Sequence, residues 1–265
     1  YKYENNHPVL NVRQSESGHY SERPLKWEDI DSEKSILAQR KDPDAYPALT
    51  KLGEYFSDFR LYRNWTIGRY TSVRMQQPAD LSNKWIDEDA RNLGLVLSKL
   101  LQDYATKQKL LNAFRSVYDG AKDFGIDVES GNVQIYGQEE GFTVPATRLS
   151  DGTLHYLFLM AILYDPNPPS LIVIEEPELG LHPDLIPDLA DALRDASERT
   201  QVVVSTHSAK LIDCFSKEPD CVIVVDRKES STVMQRLDGE KLSVWLEKYS
   251  LGTLWTRGDL GGVRW

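Results

Sequence analysis

Two adjacent carboxylates, Glu175 and Glu176, directly follow a short apolar run at 171–174. A continuous apolar run that is rich in β-branched residues is typical of a fully buried strand in a parallel sheet. Open α/β sheets bind their ligands beyond the carboxyl ends of such strands. Core packing does not require two acids there, whereas nucleotide hydrolysis does: one acid helps to hold Mg²⁺, and the next orients or deprotonates the attacking water. The alternative is an exposed acid pair at the start of a helix.

His207 follows a second apolar run. Residues 202–204 are consecutive valines, and Ser205, Thr206 and His207 come directly after them. The pattern predicts a second buried strand over 201–206, which would bring the imidazole to the same sheet edge as the carboxylates. The alternative is a histidine that only satisfies a hydrogen bond at the end of a strand.

A third motif, at 148–153, precedes an apolar segment of helical length. Ser150 and Gly152 predict the start of a helix that continues through 154–163. Backbone N–H groups and the positive end of the helix dipole make such a start a natural anion site. The alternative is a plain N-cap, in which Ser150 caps the helix and Gly152 is incidental. Taken together, in this order and at these separations, the three motifs favour one nucleotide site.

The composition excludes several classes of protein. The chain has 265 residues, a formal net charge of −10 and a pI near 5.1, which argues against nucleic-acid binding through bulk positive charge. Its two cysteines, Cys214 and Cys221, form no CxxC pair and no Cys/His cluster, as expected of a reduced, cytoplasmic protein without structural zinc. There is no signal peptide and no apolar run of membrane-spanning length, so we expect no membrane partner.

Three regions are predicted along the chain. Residues 1–82 are polar and interrupted by prolines, and we expect short strands and loops that form the remainder of an N-terminal lobe. Residues 83–169 are expected to form a helical subdomain that carries the third motif. Residues 170–265 are expected to form the core sheet with the carboxylates and the histidine, followed by a C-terminal tail. The alternation of strands and helices predicts an α/β fold.

Within these regions, periodicity predicts individual elements. Strands are predicted at 1–4, 9–12, 59–62, 221–226 and 231–237. Helices are predicted at 92–101, 110–118 and 183–199, and a hairpin at 131–141.

Two further segments carry charged and aromatic residues together. The first, at 59–74, contains Arg60, Tyr62, Arg63, Trp65, Arg69, Tyr70 and Arg74. This mixture would stack on and neutralise single-stranded nucleic acid, or else form a half-buried sheet with a solvated cationic face. The second is the C-terminal tail, where the side chains pack either on the core or on a partner: Trp255, Arg257, Arg264 and Trp265.

With these motifs identified, the chain resembles the C-terminal part of the ABC-type ATPases of the RecF/SMC/Rad50-like, AAA_21-type group. Residues 149–153 are similar to the signature motif of that group, and 171–176 are similar to its Walker B strand. Residues 179–183 lie where its D-loop follows, and 205–208 resemble its switch-histidine segment. The resemblance implies an ABC ATPase head-like P-loop NTPase fold, with a mostly parallel sheet flanked by helices and a helical signature-motif subdomain.

The resemblance implies a role for each matching residue. Glu175 takes the position of the Walker B acid that supports Mg²⁺, although aspartate is commoner there. Glu176 takes the position of the general base, and His207 takes that of the histidine that contacts the γ-phosphate. The signature residues would contact an ATP that is held by a second subunit: Leu149, Ser150, Asp151, Gly152 and Thr153. The implied cofactors are ATP and Mg²⁺, and the implied partner is a second copy that closes head-to-tail around two ATP molecules.

A Walker A loop requires glycines that wrap the phosphates and a lysine that reaches them. None of the sixteen glycines here is followed by lysine. We therefore expect that loop to lie upstream of Tyr1, with the natural N terminus, or to be encoded elsewhere, so that this chain supplies half of a hydrolytic site. The alternative is a degenerate ATPase that never binds nucleotide, against which Glu176 and His207 argue.

Two functions are consistent with these observations. The first is an ATPase head that dimerises on ATP and serves DNA maintenance and repair or phage defence, with DNA or a separately encoded nuclease or effector as candidate partner. The second is a non-hydrolysing regulatory or scaffold subunit that uses the same fold to bind partners.

Overall fold

The computed structural model describes residues 2–4, 7–14, 19–26, 28, 30–31, 33–63 and 68–262. Three residues that the sequence singled out, Trp65, Arg264 and Trp265, lie outside these ranges. The chain separates into two compact units, Tyr1–Phe59 and Arg60–Trp265. The sequence-based division after residues 82 and 169 stays a prediction.

The first unit combines a small sheet with two helices. Strands β1 (Lys2–Glu4), β2 (His7–Arg13) and β3 (Tyr20–Pro24) form an antiparallel sheet in that order. Helices α1 (Ile36–Gln39) and α2 (Pro47–Ser57) follow, and neither was predicted. Helix α2 begins at a proline, whose fixed φ suits the first helical position.

The chain passes from the first unit to the second within strand β4 (Phe59–Tyr62). The second unit includes the short strand β5 (Gln77–Pro78) and, among its helices, three that contribute to one apolar core. Two of these helices, α3 (Leu93–Leu100) and α4 (Tyr104–Val117), confirm the helical periodicity that the sequence shows there.

The third helix, α5 (Asp151–Leu163), confirms the helix predicted after Ser150. All residues from Thr153 to Leu163 are buried, so the helix is covered on every side, as in the core of a larger protein.

An antiparallel meander lies between α4 and α5. It consists of β6 (Asp123–Glu129), β7 (Asn132–Glu139) and β8 (Phe142–Pro145). The predicted hairpin over 131–141 is wrong, because these residues form one strand with a turn at each end. Gly131 and Gly141, with φ of +78° and +89°, each occupy a turn. The two glycines therefore indicated the positions of both turns, but the strands that these turns connect were not predicted correctly.

The core sheet has the order β10–β9–β4, where β9 is Leu171–Glu175 and β10 is Gln201–Ser205. Strands β9 and β10 are parallel, and helix α6 (Ile186–Ser197) connects them, which confirms the α/β class. The prediction that both strands are fully buried is wrong. In β9 buried and half-buried residues alternate, and in β10 no residue is fully buried, with Val203 47% exposed. One face of this part of the sheet is thus incompletely covered by the described residues.

The chain then forms helix α7 (Ala209–Cys214), the antiparallel pair β11 (Ile223–Lys228) and β12 (Ser231–Arg236), and helices α8 (Gly239–Leu246) and α9 (Leu251–Thr256). The strand pair was predicted, whereas these three helices were not. Both cysteines, Cys214 and Cys221, are free thiols. No helix in the described part of the chain has the length and apolarity needed to span a membrane.

Candidate functional site

The two predicted motifs at the strand ends lie side by side. Glu175 is the last residue of β9, and its partner in the parallel register is Ser205, the last residue of β10. The backbone N–H of Glu176 donates a hydrogen bond to the Ser205 carbonyl at 2.9 Å. The carboxylate pair and the segment that carries His207 therefore leave the sheet at the same edge, where open α/β sheets bind their ligands.

Glu176 has an unusual backbone conformation. Its φ is +45°, in the left-handed region that non-glycine residues rarely adopt. Such a conformation costs on the order of 1–3 kcal/mol and persists where the surrounding structure enforces it. Glu175 is exposed and Glu176 is half-buried, so the turn directs the two adjacent carboxylates into different environments.

The side chains of Glu176 and His207 lie next to each other. The distance from Nε2 of His207 to Oε1 of Glu176 is 3.5 Å, and the two side chains are 81% and 30% exposed. A carboxylate and an imidazole at this distance, open to solvent, can share a proton or a water molecule. The residues that the sequence assigned to two separate motifs thus lie within one site.

A third acid, Glu178, completes this cluster and was missed by the sequence analysis. Its Oε1 accepts a hydrogen bond from the hydroxyl of Thr206 at 2.5 Å and another from the backbone N–H of His207 at 3.2 Å. The Thr206 hydroxyl in turn accepts from the N–H of Ser208 at 2.9 Å. Glu178 therefore fixes the position of the His207 backbone. The available signal was a third carboxylate two residues after Glu176.

Ser150 caps helix α5. Its hydroxyl accepts from the N–H of Thr153 at 3.0 Å and contacts the Thr153 hydroxyl at 2.7 Å. Leu149 and Thr153 are buried, whereas Ser150 and Asp151 are exposed. Ser150 therefore forms the expected N-cap, and the anion-binding role of the same helix end stays a prediction.

The buried side chain of Arg74 holds the residues at the start of helix α5. Arg74 is 7% exposed, and its guanidinium donates to the carbonyls of Ala146 at 2.9 Å and Leu149 at 2.6 Å. It also forms an ion pair with Asp151. The loop that leads into α5 is therefore held by charge-assisted hydrogen bonds from a residue far away in sequence.

Arg74 belongs to the basic and aromatic segment 59–74, whose described residues differ in their exposure to solvent. Tyr62 is buried and donates its hydroxyl hydrogen bond to the Ile86 carbonyl at 2.9 Å, and Arg60 stacks on Trp85 at 4.6 Å. Arg69 and Tyr70 are exposed. Some residues of this segment therefore serve internal contacts, and binding of nucleic acid by its exposed residues stays a prediction.

Helix α5 meets the loop after the carboxylate pair at two glycines. A Cβ built on Gly152 would lie 3.1 Å from the carbonyl oxygen of Gly180, so the two backbones are in close contact. One turn further along α5, His155 is buried and hydrogen-bonds to the backbone of Leu179. Burial lowers the pKa of His155 to about 4, while that hydrogen bond acts in the opposite direction. The two groups of predicted site residues are therefore joined through residues 179–180.

The donor set at the strand ends suits a hard cation. Among the residues that the structure describes, no group of three or more His, Cys, Asp or Glu side chains is arranged to hold a metal. Mg²⁺ is commonly bound by only one or two carboxylates together with substrate phosphates. Glu175 and Glu176 provide such oxygen donors.

The sequence matches the family model of the AAA_21 domain, described as an AAA domain, putative AbiEii toxin, type IV toxin–antitoxin system, over residues 12–213. The matched range covers most of the chain and includes all of the site residues discussed above.

Solved structures similar to this chain include heads of SMC proteins. One, from a study of ATP-driven dimerisation and DNA-stimulated activation of SMC ATPases, is 17% identical, with a TM-score of 0.41 over 58% of this chain and 94% of that one. The Pyrococcus furiosus Smc head with the C-terminal domain of ScpA is 18% identical, with a TM-score of 0.43 over 54% and 37%. An Smc head bound to the C-terminal winged-helix domain of ScpA is 14% identical, with a TM-score of 0.49 over 69% and 56%. The chain thus spans about a third to a half of the latter two proteins.

Proposed function

The chain belongs to the AAA_21 family of ABC-type ATPases with a P-loop NTPase fold, and from that premise we propose that it supplies the hydrolytic edge of an ATP site. The observation that carries the proposal is the Glu176–His207 pair at the ends of two adjacent parallel strands. No core contact explains an exposed imidazole 3.5 Å from a carboxylate that sits on a strained backbone.

In the proposed mechanism, Glu176 orients the attacking water towards the γ-phosphate and accepts a proton from it. His207 donates a hydrogen bond to the γ-phosphate oxygens and thereby senses the loss of the phosphate. Glu175 would hold Mg²⁺ when the ion is bound, and the ion would supply positive charge beside the phosphates. Glu178 keeps His207 in place by accepting a hydrogen bond from the backbone N–H of His207.

The start of helix α5 has a separate role in this proposal. Ser150, Asp151 and Gly152 contact the nucleotide of a second copy, so that two heads close around two ATP molecules. The buried neighbours Leu149 and Thr153 hold this turn in place. Support comes from the Ser150 hydroxyl and the free end of the α5 dipole, which suit phosphate oxygens. Close contact between Gly152 and Gly180 would transmit closure of that second site to the loop after Glu176.

The biological setting proposed is DNA maintenance and repair or phage defence. The family description names a putative AbiEii toxin of a toxin–antitoxin system, which supports the defence role. DNA and a separately encoded nuclease or effector are the proposed partners, in a cytoplasmic setting. The SMC heads described above concern DNA-stimulated activation in one case and ScpA binding in the others.

The test uses the natural full-length protein with Glu176→Gln. We expect ATP turnover to fall by a factor of about 100 or more, because the base is lost, while ATP binding and the ATP-dependent dimer persist. Glu198→Gln, an exposed acid after α6, is the matched control and should leave turnover unchanged. Wild-type protein that binds ATP without hydrolysing it would instead support the regulatory or scaffold function.

A further inference from the structure

The C-terminal segment 250–262 lies against the helix that follows His207. Within it, helix α9 buries Leu251 and Leu254 almost completely, at 0% and 1% exposure. The proposed hydrolytic mechanism gives this segment no role. Its contacts with helix α7 provide one.

Helices α7 and α9 touch through their backbones at Gly252. A Cβ built on Gly252 would collide with the carbonyl oxygen of Ala209 and lie 2.6 Å from Oδ1 of Asp213. Only glycine permits this approach, because any side chain must push the helices apart. Ala209 is the first residue of α7 and the second residue after His207.

Hydrogen bonds fix the same contact. Asp213 in α7 accepts from the N–H of Gly252 at 2.6 Å, and the hydroxyl of Ser216 accepts from the N–H of Leu251 at 2.9 Å. These N–H groups belong to the first turn of α9, where they have no partner within the helix. The end of α7 thus caps the start of α9.

The other end of the segment is also fixed. Gly262 has a φ of +75°, and a Cβ built on it would lie 3.0 Å from Cγ1 of Val224 in β11 and 3.5 Å from Nε1 of Trp255. The described part of the tail therefore runs from α7 to β11 and is in close contact at both ends. Trp255 is half-buried and lies close to Gly262 within the same tail.

Movement of α7 reaches His207 through a short, hydrogen-bonded connection. Ser208 caps α7 by accepting from the N–H of Leu211 at 3.2 Å, and its carbonyl accepts from the N–H of Ile212 at 3.0 Å. His207 precedes this cap directly, and its own N–H is bonded to Glu178. A shift of the first residue of α7 must therefore be absorbed at His207.

We propose that Gly252 and Asp213 are positioning residues, which form a helix–helix joint through which the C-terminal segment sets the position of His207 for ATP hydrolysis. This inference rests on the proposed role of His207. The joint acts through α7 and does not itself contact the nucleotide.

The first test is a double-mutant cycle on turnover in the natural full-length protein. Gly252→Ala should lower kcat by about 10- to 100-fold with little change in the KM for ATP, since a displacement of about 1 Å can cost that much. In a His207→Ala background the same change should have almost no further effect, because the residue that it displaces is gone. Equal fold-losses in both backgrounds would overturn the proposal and indicate general destabilisation.

Two matched variants sharpen the cycle. Asp213→Asn keeps an oxygen that accepts from Gly252 and should retain most of the turnover, whereas Asp213→Ala should resemble Gly252→Ala. Gly68→Ala is the glycine control, because among the described residues a Cβ there has only Thr71 Cγ2 nearby, at 4.0 Å, and turnover should not change. An Asp213→Ala variant with wild-type turnover would overturn the proposal.

A second measurement does not depend on hydrolysis. The imidazole resonances of the five histidines can be followed by NMR, with His207 assigned by its alanine variant. Gly252→Ala should shift the His207 resonance in nucleotide-free protein, and Gly68→Ala should not. An unchanged His207 resonance would refute the joint, whereas a shift in a protein without ATPase activity would support the joint and refute the proposed function.

Discussion

The carboxylate of Glu178 accepts hydrogen bonds from the side chain of Thr206 at 2.5 Å and from the backbone N–H of His207 at 3.2 Å. One side chain in the loop after β9 therefore organises the end of the neighbouring strand β10. The position of the proposed phosphate-sensing imidazole depends on this residue.

Replacing Glu178 by alanine should impair both stability and turnover. The Thr206 hydroxyl and the His207 N–H would lose their acceptor, at a cost of about 1–3 kcal/mol in the free energy of unfolding. Glu178→Gln keeps one acceptor oxygen and should have a smaller effect on both. Chemical denaturation and steady-state ATPase assays measure the two effects, and an alanine variant with wild-type values in both would contradict the assignment.

Arg74 should be essential to the loop before helix α5. Arg74→Met would leave the carbonyls of Ala146 and Leu149 without their charged donor, and we expect a loss of about 2–4 kcal/mol in the free energy of unfolding. The matched control from the same segment is Arg69→Ala, which removes an exposed guanidinium and should change stability by about 0.5 kcal/mol or less. Urea denaturation of both variants is the measurement; similar midpoints would show that the Arg74 contacts contribute little.

The strained backbone at Glu176 predicts a trade-off between stability and activity. Glu176→Gly removes the side chain at a φ of +45° and should stabilise the fold by about 0.5–1 kcal/mol while it abolishes turnover. Ser130→Gly, in the turn between β6 and β7 at a φ of +50°, should give a similar stabilisation with full activity. Thermal unfolding and ATPase assays test the pair, and destabilisation by Glu176→Gly would show that the conformation carries no strain.

Burial of His155 predicts a pH-dependent stability. Its pKa is lowered from 6.5 to about 4 in the folded protein. Between these values the unfolded chain binds more protons than the native protein, so stability falls as the pH drops from about 6.5 to 4 and is regained above 6.5. The full effect is about 3 kcal/mol.

The measurement is urea denaturation at pH 7.5 and pH 5. His155→Gln does not titrate in this range and should lose about 2 kcal/mol less than the wild-type protein between the two pH values. An equal loss in both proteins would assign the pH dependence to other groups.

The local patterns in the sequence predicted the elements that carry the site. Glu175 and Ser205 end the strands that apolar runs predicted, and Ser150 caps the helix that follows it. These features depend on residues within one turn or one strand, where side-chain type and spacing act directly on the backbone. The helices of the first unit and of the tail were missed. Most of them are short and partly exposed, whereas α2 is as amphipathic as α3 and α4 but begins at a proline in a segment that prolines interrupt.

The contacts that assemble the site were not predictable in the same way. Arg74 reaches Asp151 across 77 positions of the sequence, and Glu178 reaches Thr206 across 28. The basic and aromatic segment 59–74 contributes one buried arginine, Arg74, to the support of α5, because the environment of that side chain is set by residues far away in the sequence.

The sequence by itself therefore determined which residue types stand at the ends of β9, β10 and at the start of α5, since periodicity and capping act locally. Only the tertiary structure decided that Glu176 pairs with His207, that Glu178 holds the histidine backbone and that Gly252 lies against Ala209. These contacts depend on how parallel strands align and on how closely two backbones approach. The spacing of neighbouring residues determines neither, because both involve residues that are far apart in the sequence.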